Sequence, residues 1–188
     1  MDITEQFTVT RPVASVWDLF LDVPQLSRCL PGAELIKDHG DGTYDGKVTV
    51  KLGPITAAFD GSATVTTDAA ARSLQIKGRG VDKAGGSQGR VDVNVRLSEP
   101  DEVRTEVHID AKVMLAGPIA QFGRTGLVNE VSRRLIEEFS TCIHAKLDAE
   151  TEEAAARIEA ADVKGVSLFL ASTWATFSRW LKGIFSRD

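Results

Sequence analysis

Hydrophobic and polar residues alternate along much of the chain between residues 3 and 113, and this period of two predicts β-strands. The first such segment is "ITEQFTVT", in which Ile3, Phe7 and Val9 share a face with Glu5. From Leu35 onward the alternation recurs between turns rich in glycine and aspartate. One apolar and one polar face per segment indicate antiparallel strands buried on one side, so we predict a strongly curved sheet of about seven strands.

The inward face of the predicted sheet mixes large apolar residues with small ones. The last segment is the most regular, with Val103, Val107 and Ile109 inward. Small residues on an inward face allow two explanations, either close packing of a helix or space for a ligand, and the pattern does not decide between them. The small inward positions are Gly46, Ala57, Gly61, Ala63, Gly78, Gly80 and Ala111.

Two stretches have helical periodicity instead. "RPVASVWDLFLDV" starts with a proline and carries apolar residues at helical spacing. A longer stretch, "AGPIAQFGRTGLVNEVSRRLIEEFSTCIHAKLD", has one apolar stripe, from which Ile119 and Phe122 deviate. We therefore expect a bend or break around Gly123 and Gly126. The stripe consists of Val128, Val131, Leu135, Phe139 and Cys142.

This order of elements predicts an α+β helix-grip fold, in which a curved antiparallel sheet wraps around a long C-terminal helix. The predicted ligand-binding domain covers residues 1–147. Residues 148–165 are acidic and rich in alanine, and we interpret them as a tether.

Residues 166–188 are predicted to form an amphipathic helix. Its polar face carries Arg179 and Lys182, and two tryptophans lie on the apolar face. Such a face behind a polar tether favours a helix that lies on a membrane surface, although packing on its own domain is the alternative. The residues expected to bind the membrane are Phe169, Trp174, Phe177, Trp180, Leu181, Ile184 and Phe185.

Candidate chemistry is sparse. The net charge of −5 argues against a nucleic-acid-binding protein. The three histidines, His39, His108 and His144, are scattered, so no metal site is predicted. Glu5 is the best candidate for a buried carboxylate, but its place near a strand end favours a solvated side chain. We assign no catalytic residue.

The cysteines and the termini bear on the cellular compartment. Cys29 and Cys142 lie far apart and form no CxxC pair, which suits a reducing cytoplasm and argues against a disulfide framework. Neither a secretory signal nor an apolar stretch long enough to cross a bilayer is evident. We therefore expect a cytoplasmic protein, peripheral on the inner face of the cell membrane.

Three stretches in order resemble the G-subunit family of carbon monoxide dehydrogenase, which belongs to the START-like helix-grip superfamily. They are "RPVASVWDLFLDVPQLSRCLPGAELI", "GTYDGKVTVKLGPITAAFDGSATV" and "AGPIAQFG", and the resemblance covers roughly residues 1 to 147. It implies the fold already predicted and a non-catalytic protein. It also implies a molybdenum-containing carbon monoxide dehydrogenase as partner, which the protein would link to the membrane and its quinone pool.

Together these observations predict a non-catalytic carrier of an apolar, membrane-soluble ligand, which the resemblance suggests is a bound quinone or similar lipid. Two alternatives stay open: a helix-grip cyclase or hydrolase acting on an apolar substrate, and an adaptor with a filled core. The residues expected to contact the ligand are Phe7, Tyr44, Val48, Phe59, Ile76, Val93, Val107, Phe122, Gly126 and Leu135.

Overall fold

In the computed structural model, residues 1–52, 55–124 and 127–160 are described, so the predicted membrane helix of residues 166–188 and Gly126 lie outside the described residues. The strands are β1 (Asp2–Val9), β2 (Ala33–Asp38), β3 (Thr43–Leu52), β4 (Ile55–Asp68), β5 (Ser73–Asp82), β6 (Ser87–Asp101) and β7 (Arg104–Ala116). The helices are α1 (Val13–Leu21), α2 (Val23–Ser27), a 3₁₀-helix (Pro118–Arg124), α3 (Leu127–Asp148) and α4 (Glu152–Ala156).

The seven strands form one antiparallel sheet in the order β1-β7-β6-β5-β4-β3-β2. The first and last strands in space are therefore the first two in sequence, and α1 and α2 connect them. This topology confirms the predicted sheet. The strand register also places the predicted apolar residues on one face, with one correction: Val103 lies in the turn between β6 and β7 and is 60% exposed.

The predicted break in the long C-terminal helix is confirmed as a change of helix type. A 3₁₀-helix ends at Arg124 and α3 begins at Leu127. The start of the 3₁₀-helix is fixed to the sheet, because the backbone N–H of Ile119 donates to Ser87 Oγ (3.3 Å). From there α3 crosses the concave side and contacts β1 and β3.

The buried side chains fall into two separate clusters, one at each end of α3. The first cluster joins α1, α2 and the C-terminal half of α3 to the sheet, and its most enclosed members include Val16, Phe20 and Ile143. The second cluster is smaller and centres on Ala57 and Ile119. The helix is therefore held to the sheet at both ends.

The prediction for the cysteines was wrong. Cys29 follows α2, Cys142 lies on α3, and the two form a disulfide with their Cα atoms 5.4 Å apart. Both are buried in the first cluster. A separation of 113 residues in sequence gives no sign of this proximity, which depends on the whole sheet being in place. Cross-links of this kind stabilise small domains by about 2–5 kcal/mol, mainly by restricting the unfolded chain.

The start of the predicted tether also needs a correction, because residues 149–160 pack on the domain. Arg28 Nη1 donates to the carbonyl oxygen of Ala156 (2.8 Å), and the N–H of Ala160 donates to the carbonyl oxygen of Arg28 (2.8 Å). Lys146 is buried and donates to the carbonyl oxygen of Ala155 (2.7 Å). Burial lowers the pKa of the Lys146 ammonium, and the nearby Arg28 lowers it further.

A row of glycines explains the curvature of the sheet. Gly46, Gly61, Gly80 and Gly89 lie side by side in register across β3, β4, β5 and β6, on the concave face. A Cβ atom at Gly61 would lie 1.9 Å from the carbonyl oxygen of Arg79 and 2.7 Å from the Cα of Gly80. The strands approach too closely there for any side chain. Neither explanation offered for the small residues therefore applies to Gly61, because the neighbouring strand fills the space.

The row also offers a matched pair of substitutions. We expect Gly61→Ala to lower the free energy of unfolding by about 2–3 kcal/mol or to prevent folding, because backbone atoms must move apart. Gly89→Ala should change it by less than about 1 kcal/mol, since its Cβ would meet Leu115 and Phe59 at ordinary contact distances of 3.7 Å. Urea unfolding of both variants provides the comparison, and equal effects would contradict this account of the curvature.

Candidate ligand-binding site

A band of apolar side chains lies between the two clusters on the concave face. Among the described residues, these side chains belong to neither cluster, although the register directs them toward α3. They are only half-buried, and Val48 is 44% exposed. Inward apolar side chains that remain accessible indicate space beneath the helix. The band consists of Val48, Ala63, Ile76, Val91, Ala111 and Leu135.

The predicted ligand contacts divide between this band and the clusters. Val48, Ile76 and Leu135 lie in the band, and Tyr44 lies at its edge next to Ala63 in register. Phe59 and Phe122 pack at the border of the second cluster. These six residues thus lie in or around the band, on the sheet, the 3₁₀-helix and α3.

Three other predicted contacts lie in or against the first cluster, and for the fully buried Val107 this corrects the assignment. Val107 is fully buried and presents no surface to a ligand. Phe7 makes an edge-to-face contact with Phe139, with ring centroids 6.0 Å apart. Val93 packs against the same cluster. The alternating pattern identified the correct face but could not show how far along each strand the core extends.

Two polar groups adjoin the apolar band. Burial raises the pKa of the Tyr44 phenol, with further contributions from the carboxylates of Asp38, Asp22 and Asp41. A neutral phenol hydroxyl can donate a hydrogen bond. The second group is Glu138 on α3, whose Oε2 atom is buried and has no hydrogen-bond partner among the described residues.

Glu138 was missed by the sequence analysis. It lies three residues after Leu135 and four before Cys142, which places it on the flank of the apolar stripe. The position of Glu138 beside the stripe is visible in the sequence. However, the stretch "EEF" is typical of two solvated acidic residues followed by a core residue. Only the contacts in the structure distinguish the two glutamates. Glu137 forms an ion pair with the exposed Arg133, whereas the Oε2 atom of Glu138 is buried. An unpaired buried carboxylate oxygen is costly, so Glu138 is a candidate for a ligand contact.

The other polar candidates have ordinary surroundings. His39 pairs with Asp45, His108 lies 3.1 Å from Ser98 Oγ, and His144 lies 3.0 Å from the carbonyl oxygen of Thr8. In the described part of the chain, no group of three or more potential ligands gathers for a metal ion. Glu5 is half-buried on β1, beside Ile109 in register.

No helix in the described residues is long and apolar enough to cross a membrane.

Two grooves lie on the opposite, convex face of the sheet, with volumes of about 230 and 420 Å³. None of the predicted ligand contacts lines either groove. They are therefore separate from the apolar band.

The sequence matches one family model, described as the G subunit of carbon monoxide dehydrogenase (CoxG), over residues 6–148. No curated protein sequence matches it.

Solved structures share the fold at low identity. A conserved protein from Geobacillus kaustophilus aligns with a TM-score of 0.64 and 15% identity, covering 76% of this chain and 95% of that one. A START superfamily protein from Mycobacterium smegmatis gives 0.53 and 12%, covering 78% and 97%. A di-domain aromatase/cyclase, BexL, from the BE-7585A biosynthetic pathway also gives 0.53 and 12%, covering 79% of this chain and 48% of that one. These likenesses show the START-like helix-grip fold alone.

The orphan oxygen of Glu138 leads to a stability test. We expect Glu138→Leu to raise the free energy of unfolding of the ligand-free protein by about 1–2 kcal/mol, because it removes a buried oxygen that has no hydrogen-bond partner. Glu137→Leu, one position away, loses only an exposed ion pair and should change it by less than about 0.5 kcal/mol. Urea unfolding measures both, and a loss of stability in Glu138→Leu would show that this carboxylate serves the fold.

Proposed function

The chain belongs to the CoxG family of carbon monoxide dehydrogenase, and we propose from this premise that it carries an apolar, membrane-soluble ligand for a carbon monoxide dehydrogenase without performing catalysis itself. The observation that carries the proposal is the accessible apolar band between the two clusters. The adaptor alternative, with its filled core, predicts instead that the clusters join into one. The band instead leaves a surface that favours a ligand with extended apolar groups.

We propose a quinone as the ligand. A quinone combines a long apolar chain, which matches the band, with a ring that carries oxygen atoms on opposite sides. The Tyr44 hydroxyl can donate to a ring carbonyl, and the free Glu138 oxygen can accept from a hydroxyl of the reduced form. A carbon monoxide dehydrogenase releases electrons, and a quinone is a membrane-soluble acceptor for them. A protein that carries the quinone between the enzyme and the membrane would connect this electron donor to its acceptor.

The helix-grip fold also occurs in enzymes, since the aromatase/cyclase BexL shares it. Among the described residues, the polar groups that adjoin the apolar band and could take part in such chemistry are Tyr44 and Glu138. A carrier releases its ligand chemically unchanged, whereas a cyclase or hydrolase converts it. The ligand recovered from the protein therefore separates these two functions.

Leu135 provides a test of the band. Replacing Leu135 with Trp should occupy the space beneath α3, reduce uptake of menaquinone from liposomes by about tenfold and leave the fold intact. The control is Ile136→Trp, which is directed into the first cluster and should destabilise the protein by about 1–3 kcal/mol through overpacking. Uptake is measured by extracting the re-isolated protein. Unfolding of Leu135→Trp would reveal a filled core, as the adaptor alternative requires.

Residues 166–188 supply the membrane contact in this proposal. The segment contains several large apolar side chains, and full burial of each contributes roughly 1.5–3 kcal/mol of binding free energy. Their sum suffices for reversible attachment to a membrane surface. We expect the full chain to co-sediment with phosphatidylglycerol-containing liposomes. Deletion of residues 164–188 should abolish co-sedimentation and leave the melting temperature unchanged. Trp174→Ser with Phe177→Ser should act like the deletion. If the deletion lowers the melting temperature and the full chain never sediments, the segment packs on its own domain.

A further inference from the structure

The apolar band is open at the side of the sheet that ends in β2. This strand is the last in the sheet order, so its outer edge faces no other described strand. Val48 of the band lies beside Ala33 of β2 in register and is exposed. Leu30 is also exposed, and its carbonyl oxygen accepts from the N–H of Ala33 (3.0 Å). We call this apolar surface, which consists of Leu30, Ala33 and Val48, the open edge.

The open edge is unfavourable for a protein that holds an apolar ligand in water. A long apolar chain that lies along the band would pass Val48 and expose part of its surface to solvent there. The exposure of Leu30 and Val48 shows that no described element covers the open edge. A carrier therefore needs a further apolar segment at this position.

The chain reaches the open edge at Ala160. The N–H of Ala160 donates to the carbonyl oxygen of Arg28 (2.8 Å). Arg28 precedes Leu30 by two residues, a separation of at most about 7 Å. Residues 161–188 therefore begin beside the open edge. Trp174 follows Ala160 by 14 residues, which span about 20 Å as a helix and more when extended, so it can reach the open edge.

Charge supports a contact between this segment and the domain. Residues 161–188 contain four basic and two acidic residues, a net charge of +2, whereas the whole chain has a net charge of −5. Residues 1–160 therefore have a net charge of −7. At the edge of the band, burial and three nearby carboxylates raise the pKa of the Tyr44 phenol. In the described part of the chain these carboxylates form no ion pair, although Lys146 lies near the first of them; they belong to Asp22, Asp38 and Asp41.

Two other occupants of the open edge are disfavoured. A second copy could add a strand to the outer edge of β2, but β2 is short and its register shifts between Leu35 and Lys37, which disrupts a regular edge. An anionic lipid surface is repelled by the acidic domain, whereas the positive charge of residues 161–188 is attracted to it.

We propose that residues 161–188 cover the open edge while the loaded protein is in water, and release it when they bind the membrane. In water, their apolar side chains contact Leu30, Val48 and the apolar chain of the ligand. At a membrane the same side chains contact lipid, so the ligand is uncovered only there. The contact requires the loaded protein, because the ligand adds its own apolar surface to the open edge. The inference rests on the proposed function, since it describes how the carrier protects its ligand.

Photo-cross-linking of the full chain tests where the segment lies. In one variant p-benzoylphenylalanine replaces Leu30 at the open edge, and in the control it replaces Val103 in the turn between β6 and β7. Both proteins are loaded with menaquinone and irradiated, and the linked peptides are identified by mass spectrometry. We expect links from position 30 to residues 161–188 at about tenfold the yield from position 103, because the contact is intramolecular. Phosphatidylglycerol liposomes should lower the yield from position 30 about fivefold.

Retention of the ligand provides a second measurement. Menaquinone-loaded protein is mixed with methyl-β-cyclodextrin, and the loss of menaquinone is followed over time. Trp174→Ser with Phe177→Ser removes two large apolar side chains from the segment and should speed the loss about tenfold. The matched control, Ser172→Ala with Ser186→Ala, changes the predicted polar face of the same segment and should leave the rate within about twofold of the wild-type rate.

The outcomes separate the cover from the function. Equal yields from positions 30 and 103, or links between two copies of the chain, would overturn the cover while the carrier function stands. Equal rates of menaquinone loss from both segment variants would do the same. Links that persist undiminished on liposomes would contradict the exchange with the membrane. A full chain that takes up no menaquinone would overturn the carrier function and, with it, the cover.

Discussion

The close approach of β4 and β5 at Gly61 and Gly80 is the constraint on which the rest of the structure depends. With no Cβ between them, the strands approach more closely along the glycine row than any side chain would allow, and we attribute the curvature of the sheet around α3 to this approach. Phe59 lies beside this row, against Gly80 and Gly89. A flatter sheet would let α3 settle on the band and close it. The accessible apolar surface is thus a consequence of glycine placement, and the helix only covers it.

The two ends of α3 are held by different means. The C-terminal end combines dense packing, the Cys29–Cys142 disulfide and the docked segment that Arg28 and Lys146 bind. Among the described residues, the other end has the small cluster around Ile119 and the hydrogen bond from the N–H of Ile119 to Ser87 Oγ, next to the change from 3₁₀- to α-helix. Stability is therefore concentrated at one end of the helix, which leaves the other as the place where local opening for a ligand costs least.

Much of the fold could be predicted from the sequence because its signals are local. Period-two alternation determined the strands and their faces, and the off-stripe positions of Ile119 and Phe122 located the helix break. What escaped prediction depends on distant segments meeting. The disulfide joins residues that only the finished fold brings together. Val107 and Ile76 both face inward, yet one is in the core and the other in the band. The same limit explains Glu138, whose sequence neighbours give no hint that one of its oxygens is shielded.

The orphan oxygen of Glu138 has a direct interpretation in the proposed carrier. In the described part of the chain this oxygen is buried and has no hydrogen-bond partner. Glu138 lies on the flank of the apolar stripe of α3, three residues after Leu135. In the proposed carrier, this oxygen faces the ligand.

The central claim is that the space beneath α3 holds an apolar, redox-active ligand. Mass spectrometry of an organic extract from the full chain, purified without detergent from its native host, tests it most directly. The account predicts a quinone, chemically unchanged and near-stoichiometric with the protein. An extract without any lipid, from protein that also fails to take up added menaquinone, would contradict it.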